Sequence, residues 1–175
     1  MTGRYSLIGL PTGANTVHEV SNLAMALTAS SASVAVAESC TGGAIAKALT
    51  DVPGSSVWFG YGIVSYSNDA KHKLLGVRQS TLDEQGAVSE ATVREMADGV
   101  RLLANASVGI AVSGIAGPGG GTDDKPVGTV WAAWSGAAHS FAQMQRFSGD
   151  REEVRDKTVL WVLQTLNQEL LALLG

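Results

Sequence analysis

Ser39 stands in the run Ala37-Glu38-Ser39-Cys40-Thr41-Gly42-Gly43, where a short apolar segment gives way to two glycines and then to a helical pattern. Ser39 and Cys40 are both candidate nucleophiles. A helix beginning at Thr41–Gly43 would offer unpaired N–H groups and the positive end of its dipole, a setting suited to an anion or a developing oxyanion. Gly42 and Gly43 carry no Cβ and let a substrate approach the backbone. The same residues also suit a structural role, because Ser and Thr are preferred helix caps. The run is not a Gly-x-Ser-x-Gly elbow, so no hydrolase motif decides between the two roles.

A nucleophilic serine needs a base. His18, His72 and His139 lie in two helical patterns and a strand pattern, and none belongs to a motif. Lysine is the other option, since Ser–Lys pairs do the work of Ser–His pairs once burial has made the amine neutral. Lys71 follows the hydroxyl-rich Ser65-Tyr66-Ser67-Asn68 at the start of a helix, where the dipole also favours a neutral amine. A solvated lysine beside Lys73 is the alternative. Further on, Ser113-Gly114-Ile115-Ala116-Gly117-Pro118-Gly119-Gly120-Gly121 is the densest glycine cluster. It lacks the flanks of a P-loop or dinucleotide fingerprint, which leaves a backbone nest for an anion or a mobile surface loop. Asp123-Asp124-Lys125 reads as its solvated rim and not as a metal site. In Ser148-Gly149-Asp150-Arg151, Ser148 or Asp150 can cap a helix and Arg151 can pair with a phosphate.

The elements that must position these groups alternate along the chain. Helical periodicity covers about Asn15 to Ala29, a stretch ending near Leu49, a stretch carrying Lys71, a stretch opening at Ser89-Glu90, and about Asp150 to Leu173. Strand patterns occupy Ser33–Ala37, Gly60–Tyr66, Val108–Val112, Gly128–Trp134 and Ala138–Phe147. Helices separating short apolar strands predict an α/β protein, a three-layer α/β/α sandwich with a mixed, mostly parallel sheet, whose last two strands pair antiparallel. In such a sheet ligands bind beyond the carboxyl ends of the strands. In the last helix Leu160, Trp161, Leu171 and Leu174 widen the apolar stripe, which points to a homodimer or higher homo-oligomer.

Composition narrows the classes. The 175 residues fit one domain, and 45% hydrophobic with 16% charged residues excludes a disordered chain. A net charge of −4 argues against a nucleic-acid partner. The single cysteine excludes an internal disulfide framework and any Cys-based zinc site, and fits a reducing compartment. No run reads as a signal peptide or membrane span, so a cytoplasmic protein with no membrane partner is expected. Glycine is the outlier, at 21 residues. Composition alone leaves open a binding pocket or loose loops; the blocks of the resemblance given below set Gly42-Gly43, Gly60, Gly62 and the cluster from Gly114 at strand ends meeting substrate, with Gly119–Gly121 as a mobile rim.

Five ordered blocks closely resemble the C-terminal domain of the competence/damage-inducible CinA family: Ala37–Gly43, Tyr66-Ser67-Asn68-Asp69-Ala70-Lys71, Gly86-Ala87-Val88-Ser89, Ser113–Pro118 and Lys125-Pro126-Val127-Gly128-Thr129-Val130. The resemblance runs from about residue 15 to the C-terminus. It implies one domain over residues 1–175, with residues 1–12 as an N-terminal extension of unknown role, and leaves no room for the family's molybdopterin-binding-like domain. Stand-alone family members are nicotinamide-nucleotide amidases. The resemblance therefore implies deamidation of nicotinamide mononucleotide to nicotinate mononucleotide and ammonia, a step of pyridine nucleotide salvage, with no metal and no cofactor. It makes Ser39 the nucleophile, Lys71 the base and Tyr66 a third catalytic residue, with Lys71 or Tyr66 protonating the departing ammonia, places Ser56 near that dyad, and matches Arg151 to a family arginine. Glu38, Thr41, Gly42, Gly43, Ser113 and Gly114 join Ser56 and Arg151 as expected substrate-binding residues. In this scheme Glu38 balances the pyridinium charge, and the Thr41–Gly43 N–H groups hold the oxyanion. Gly119-Gly120 departs from the Asp-Gly of a relative, which alters the loop rim and leaves the dyad untouched. A non-catalytic nucleotide-binding or interaction domain and a Cys40-based amidase remain as alternatives.

Overall fold

The computed structural model describes residues 12–175; the expected N-terminal extension lies outside the described residues, apart from Thr12. Among the described residues, six α-helices and five strands follow in this order: α1 (Thr12–Ala29), β1 (Val34–Glu38), α2 (Ala44–Thr50), β2 (Phe59–Val64), α3 (Asn68–Leu75), α4 (Gln79–Gln85), α5 (Glu90–Ala104), β3 (Val108–Gly114), β4 (Thr129–Ser135), β5 (Ser140–Arg146) and α6 (Arg151–Leu174). A 3-10 turn at Ser55–Val57 precedes β2. The strands form one sheet in the order β2-β1-β3-β4-β5. β1 pairs parallel with β2 and β3, while β4 runs antiparallel to both β3 and β5. Four of the five strands thus point the same way, and the mixed, mostly parallel sheet of the sequence reading is what the chain builds.

Strand alternation sorts the core onto two faces. Val34 and Val36 of β1, with Val108, Ile110 and Val112 of β3, pack under α1, α2 and α6. Ala35, Ala37 and Ala111 face the other way, under α5 and the end of α3. This makes the third layer. Side-chain caps fix three of the helix starts: Ser67 accepts from the Ala70 N–H, Ser89 from the Thr92 N–H, and Asp150 forms a capping box with Glu153. Each such cap contributes about 1 kcal/mol.

Four differences from the sequence reading have physical causes. The helix α4, Gln-Ser-Thr-Leu-Asp-Glu-Gln, has a single large apolar residue, Leu82, so it carries no periodic signal; burial of Leu82 and Thr81 holds it instead. His139 sits in the turn before β5 and not in a strand. The extra apolar residues of α6 are largely absorbed by the fold. Trp161 meets Trp134 edge-on at 5.6 Å and Phe147 at 5.8 Å, and Leu174 packs against the main core, leaving Leu171 exposed. Gly60 and Gly62 lie within β2, at the sheet edge, and not at a strand end; a Cβ on Gly62 would stand 2.8 Å from Ala46 Cβ. Among the described residues no helix is long and apolar enough to cross a membrane.

The placement of α3 depends on a close helix crossing. Gly99 of α5 lies under the C-terminal turn of α3, and a Cβ there would stand 1.9 Å from the Leu75 carbonyl oxygen. A side chain at Gly99 must push α3 outward, and with it everything α3 carries. Gly99→Ala is expected to lower stability by about 1–3 kcal/mol, the usual range for overpacking. Urea unfolding checks this, and an unchanged midpoint would show that the crossing is looser than its geometry.

Candidate active site

Three parallel strands end side by side. Glu38 is in register with Val64 on one side and Val112 on the other. One position further come Ser39, Ser65 and Ser113, a row of serines across the carboxyl edge of the sheet. Backbone bonds extend the ladder past the strands, from Ser39 N–H to the Val112 carbonyl at 3.1 Å and from Ser65 N–H to the Glu38 carbonyl at 2.8 Å.

Alternation then divides two consecutive residues between the two faces of the sheet. Glu38 turns to the α2 face, where its buried carboxylate accepts from Thr41 Oγ1 at 2.6 Å and from the N–H groups of Gly43, Ile45 and Ala46 at 3.0, 3.1 and 2.8 Å. It caps α2 through four donors, close to the positive dipole end. Ser39 turns to the α3 face and meets Lys71. Lys71 Nζ lies 3.1 Å from Ser39 Oγ and donates to the Ser65 carbonyl at 2.9 Å. The side chain is 1% exposed and, among the described residues, has no carboxylate within ion-pairing reach, whereas Lys73 pairs on the surface with Asp69. Desolvation accordingly holds the Lys71 pKa below the usual lysine value of 10.5.

Cys40 next door is pushed the opposite way. Burial raises its thiol to about 12, outweighing the help of nearby Lys71 and Arg155, so the sulfur stays protonated. Of the turn's N–H groups, Gly42 bonds the Ser39 carbonyl at 3.1 Å and Gly43 bonds Glu38. Those of Cys40 and Thr41, directly after the serine, make no bond to a backbone carbonyl among the described residues. Of the N–H groups at Thr41–Gly43, those of Gly42 and Gly43 are thus engaged within the turn. From above, Arg155 donates to the Thr41 carbonyl at 2.8 Å, and its guanidinium lies against Gly42, whose φ of +60° suits glycine.

A cleft of about 220 Å³ opens over the serine row. Of the residues expected from sequence, it brings together Ser39, Lys71, Tyr66, Ser113, Gly114 and Arg151, and adds Cys40, Asn68, Ala87, Val88 and Ala116. At its mouth Arg151 donates to Tyr66 Oη and to the Gly117 carbonyl, both at 2.8 Å. Glu38, Thr41, Gly42 and Gly43 do not line the cleft but stand behind it, with the Glu38 carboxylate turned to the start of α2. Ser56 is not there at all. It is exposed in the 3-10 turn before β2, at the opposite end of the strand from Lys71's partner Ser65. The role of Arg155 carried no sequence signal beyond its four-residue spacing from Arg151.

Comparison with known proteins finds relatives over most of the chain. A family model described as the CinA C-terminal domain matches residues 17–170. The chain is 54% identical over 157 residues to a nicotinamide-nucleotide amidohydrolase PncC of Enterobacter agglomerans, covering 89% of this chain and 96% of that one. It is 51% identical over 147 residues to the protein of the same name from Escherichia coli K12, covering 83% and 89%. Among solved structures, the competence damage-inducible protein A of Klebsiella pneumoniae superposes with a TM-score of 0.87 at 42% identity, over 90% of this chain and 98% of that one.

The lowered pKa of Lys71 has a sign that can be tested in stability. The unfolded chain binds the lysine proton up to the ordinary value and the folded chain releases it earlier, so burial of Lys71 costs most at low pH. That cost fades as pH rises from the folded pKa toward 10.5. Lys71→Met, which keeps the volume and loses the charge, is expected to stabilise the fold near about pH 6, with a margin that shrinks by about pH 10. Urea unfolding of both proteins at the two pH values measures it, and a margin independent of pH would contradict a depressed lysine.

Proposed function

The chain belongs to the CinA C-terminal domain family, and on that footing we propose that it is an amidohydrolase that releases the carboxamide nitrogen of nicotinamide mononucleotide as ammonia, leaving nicotinate mononucleotide. The observation that carries this reading is the buried Lys71 Nζ, 3.1 Å from Ser39 Oγ and without a counter-charge. The names of the Enterobacter and Escherichia relatives supply the substrate class.

Neutral Lys71 takes the Ser39 hydroxyl proton as Oγ attacks the carboxamide carbon. The negative charge that forms on the amide oxygen falls to the N–H groups of Cys40 and Thr41, at about 3–4 kcal/mol per donor in comparable sites. These donors are fixed before substrate arrives, because Glu38 and Arg155 hold the turn from two sides. Protonated Lys71 then returns its proton to the nitrogen as the C–N bond breaks, and ammonia leaves a nicotinoyl ester on Ser39. Water, deprotonated by Lys71, hydrolyses the ester and restores the serine. Tyr66 and Arg151 meet at the mouth of the cleft, where the ribose and phosphate of the nucleotide project; Arg151 supplies the positive charge for the phosphate. Cys40 lines the cleft as a protonated thiol and lends its backbone, not its sulfur.

Incubation of the purified protein with nicotinamide mononucleotide, with ammonia measured over time, tests the assignment. Ser39→Ala and Lys71→Ala are each expected to lose about three orders of magnitude or more, while Cys40→Ala keeps most of the activity. Full activity in Ser39→Ala, or a loss confined to Cys40→Ala, would overturn the mechanism.

A further inference from the structure

Two of the sequence blocks, Gly86–Ser89 and Lys125–Val130, have no part in the reaction above. The structure joins them by one bond. Lys125 Nζ donates to the Gln85 carbonyl at 2.9 Å, across 40 residues of chain. Asp123 and Asp124 stand immediately before Lys125, yet it forms an ion pair with neither. The sequence places Lys125 in a solvated rim; its ammonium goes instead to the last carbonyl of α4, at the negative end of that helix. We propose that Lys125 is a positioning residue. It fastens the glycine loop to the turn between α4 and α5, and thereby holds Ala87 and Val88 in place as the apolar wall that receives the pyridinium ring.

Both partners of the bond are fixed from their own sides. The loop is closed at its base, where Ile115 N–H meets the Thr129 carbonyl at 2.9 Å and Gly128 N–H meets the Ile115 carbonyl at 2.7 Å. The turn that carries Lys125 is closed twice, by Thr122 N–H on the Lys125 carbonyl at 2.9 Å and by Lys125 N–H on Thr122 Oγ1 at 3.1 Å. Val127 packs inside the loop: a Cβ on Gly117 would stand 2.6 Å from its side chain, and a Cβ on Gly121 2.7 Å from its nitrogen. Across the bond, the Gly86 carbonyl accepts from Ser89 Oγ at 2.9 Å and from Thr92 Oγ1 at 2.8 Å. Ala87 and Val88, between Gly86 and Ser89, are half-buried and line the cleft. Among the described residues, two side-chain bonds tie the loop to the rest of the chain: Arg151 on the Gly117 carbonyl and Lys125 on Gln85. Arg151 also reaches Tyr66, so the ties complete a run of contacts round the cleft, from Tyr66 through the loop to Ala87 and Val88. Ser39 and Lys71 do not belong to that run, since β1 and α3 hold them. Without Lys125 the substrate itself must order the wall, which weakens binding and leaves the dyad intact.

Hydrogen exchange read by mass spectrometry tests the clamp without substrate. Lys125→Met is expected to speed exchange of the amides of residues 85–89 and 117–127 together, with β1 and α6 unchanged. Lys125→Arg, which keeps a cationic donor, is expected to restore the protection. The effect on catalysis rests on the amide hydrolysis proposed above. With nicotinamide mononucleotide, Lys125→Met is expected to raise KM about tenfold and keep kcat within about twofold, the pattern of lost binding and intact chemistry. Asp124→Asn is expected to change neither. Unaltered exchange in either segment, or a kcat that falls while KM stays, would overturn the proposal. A wild type that releases no ammonia overturns the reaction alone, and the exchange result then decides on the clamp.

Discussion

A lysine amine buried without a counter-charge, held between the Ser39 hydroxyl and the Ser65 carbonyl, is the interaction on which the rest of the structure depends. Taking an ammonium out of water is costly, and a carboxylate partner would remove the cost by keeping the charge. The site supplies a carbonyl and a hydroxyl instead. Neither fixes the charge in place, so desolvation works against the protonated form, in keeping with the base proposed above. A carboxylate is only one residue away, on Glu38, and strand alternation turns it to the other face of the sheet. The sheet thus separates the strongest local acceptor from the lysine by backbone geometry alone.

The turn that follows Ser39 is built to be rigid. Glu38 holds it from beneath through Thr41, Gly43, Ile45 and Ala46, and Arg155 grips the Thr41 carbonyl from above. Rigidity matters because oxyanion stabilisation comes from donors that need not reorganise during the reaction. The N–H groups of Cys40 and Thr41, next to Ser39, are the ones that make no bond to a backbone carbonyl. Gly99 extends the logic to α3: its missing side chain lets the helix sit low enough to bring Lys71 to the serine row.

Much of this was legible in the sequence, and the exceptions are instructive. The periodicities of α1, α5 and α6 and the apolar runs of β1 and β3 identify the layers, because each element buries a regular face. Helix α4 escaped because one leucine makes no period. Ser39, Lys71, Tyr66, Ser113, Gly114 and Arg151 were expected at a site and converge on one cleft. Glu38 was expected to meet the ligand, and strand alternation, which was available from the sequence, already assigns it to the face opposite Ser39. Ser56 was expected at the dyad, but a residue before β2 and a residue after β1 must lie at opposite ends of two parallel strands. Arg155 gave no signal, since a long-range bond to a backbone carbonyl depends on the docking of α6 and not on local pattern.

The central claim concerns a proton, and nitrogen-15 NMR of the lysine side chains observes it directly. Lys71→Met assigns the resonance among five lysines. Lys71 is predicted to lose its proton below the usual lysine value of 10.5. A Lys71 that keeps its proton up to that value would contradict the account.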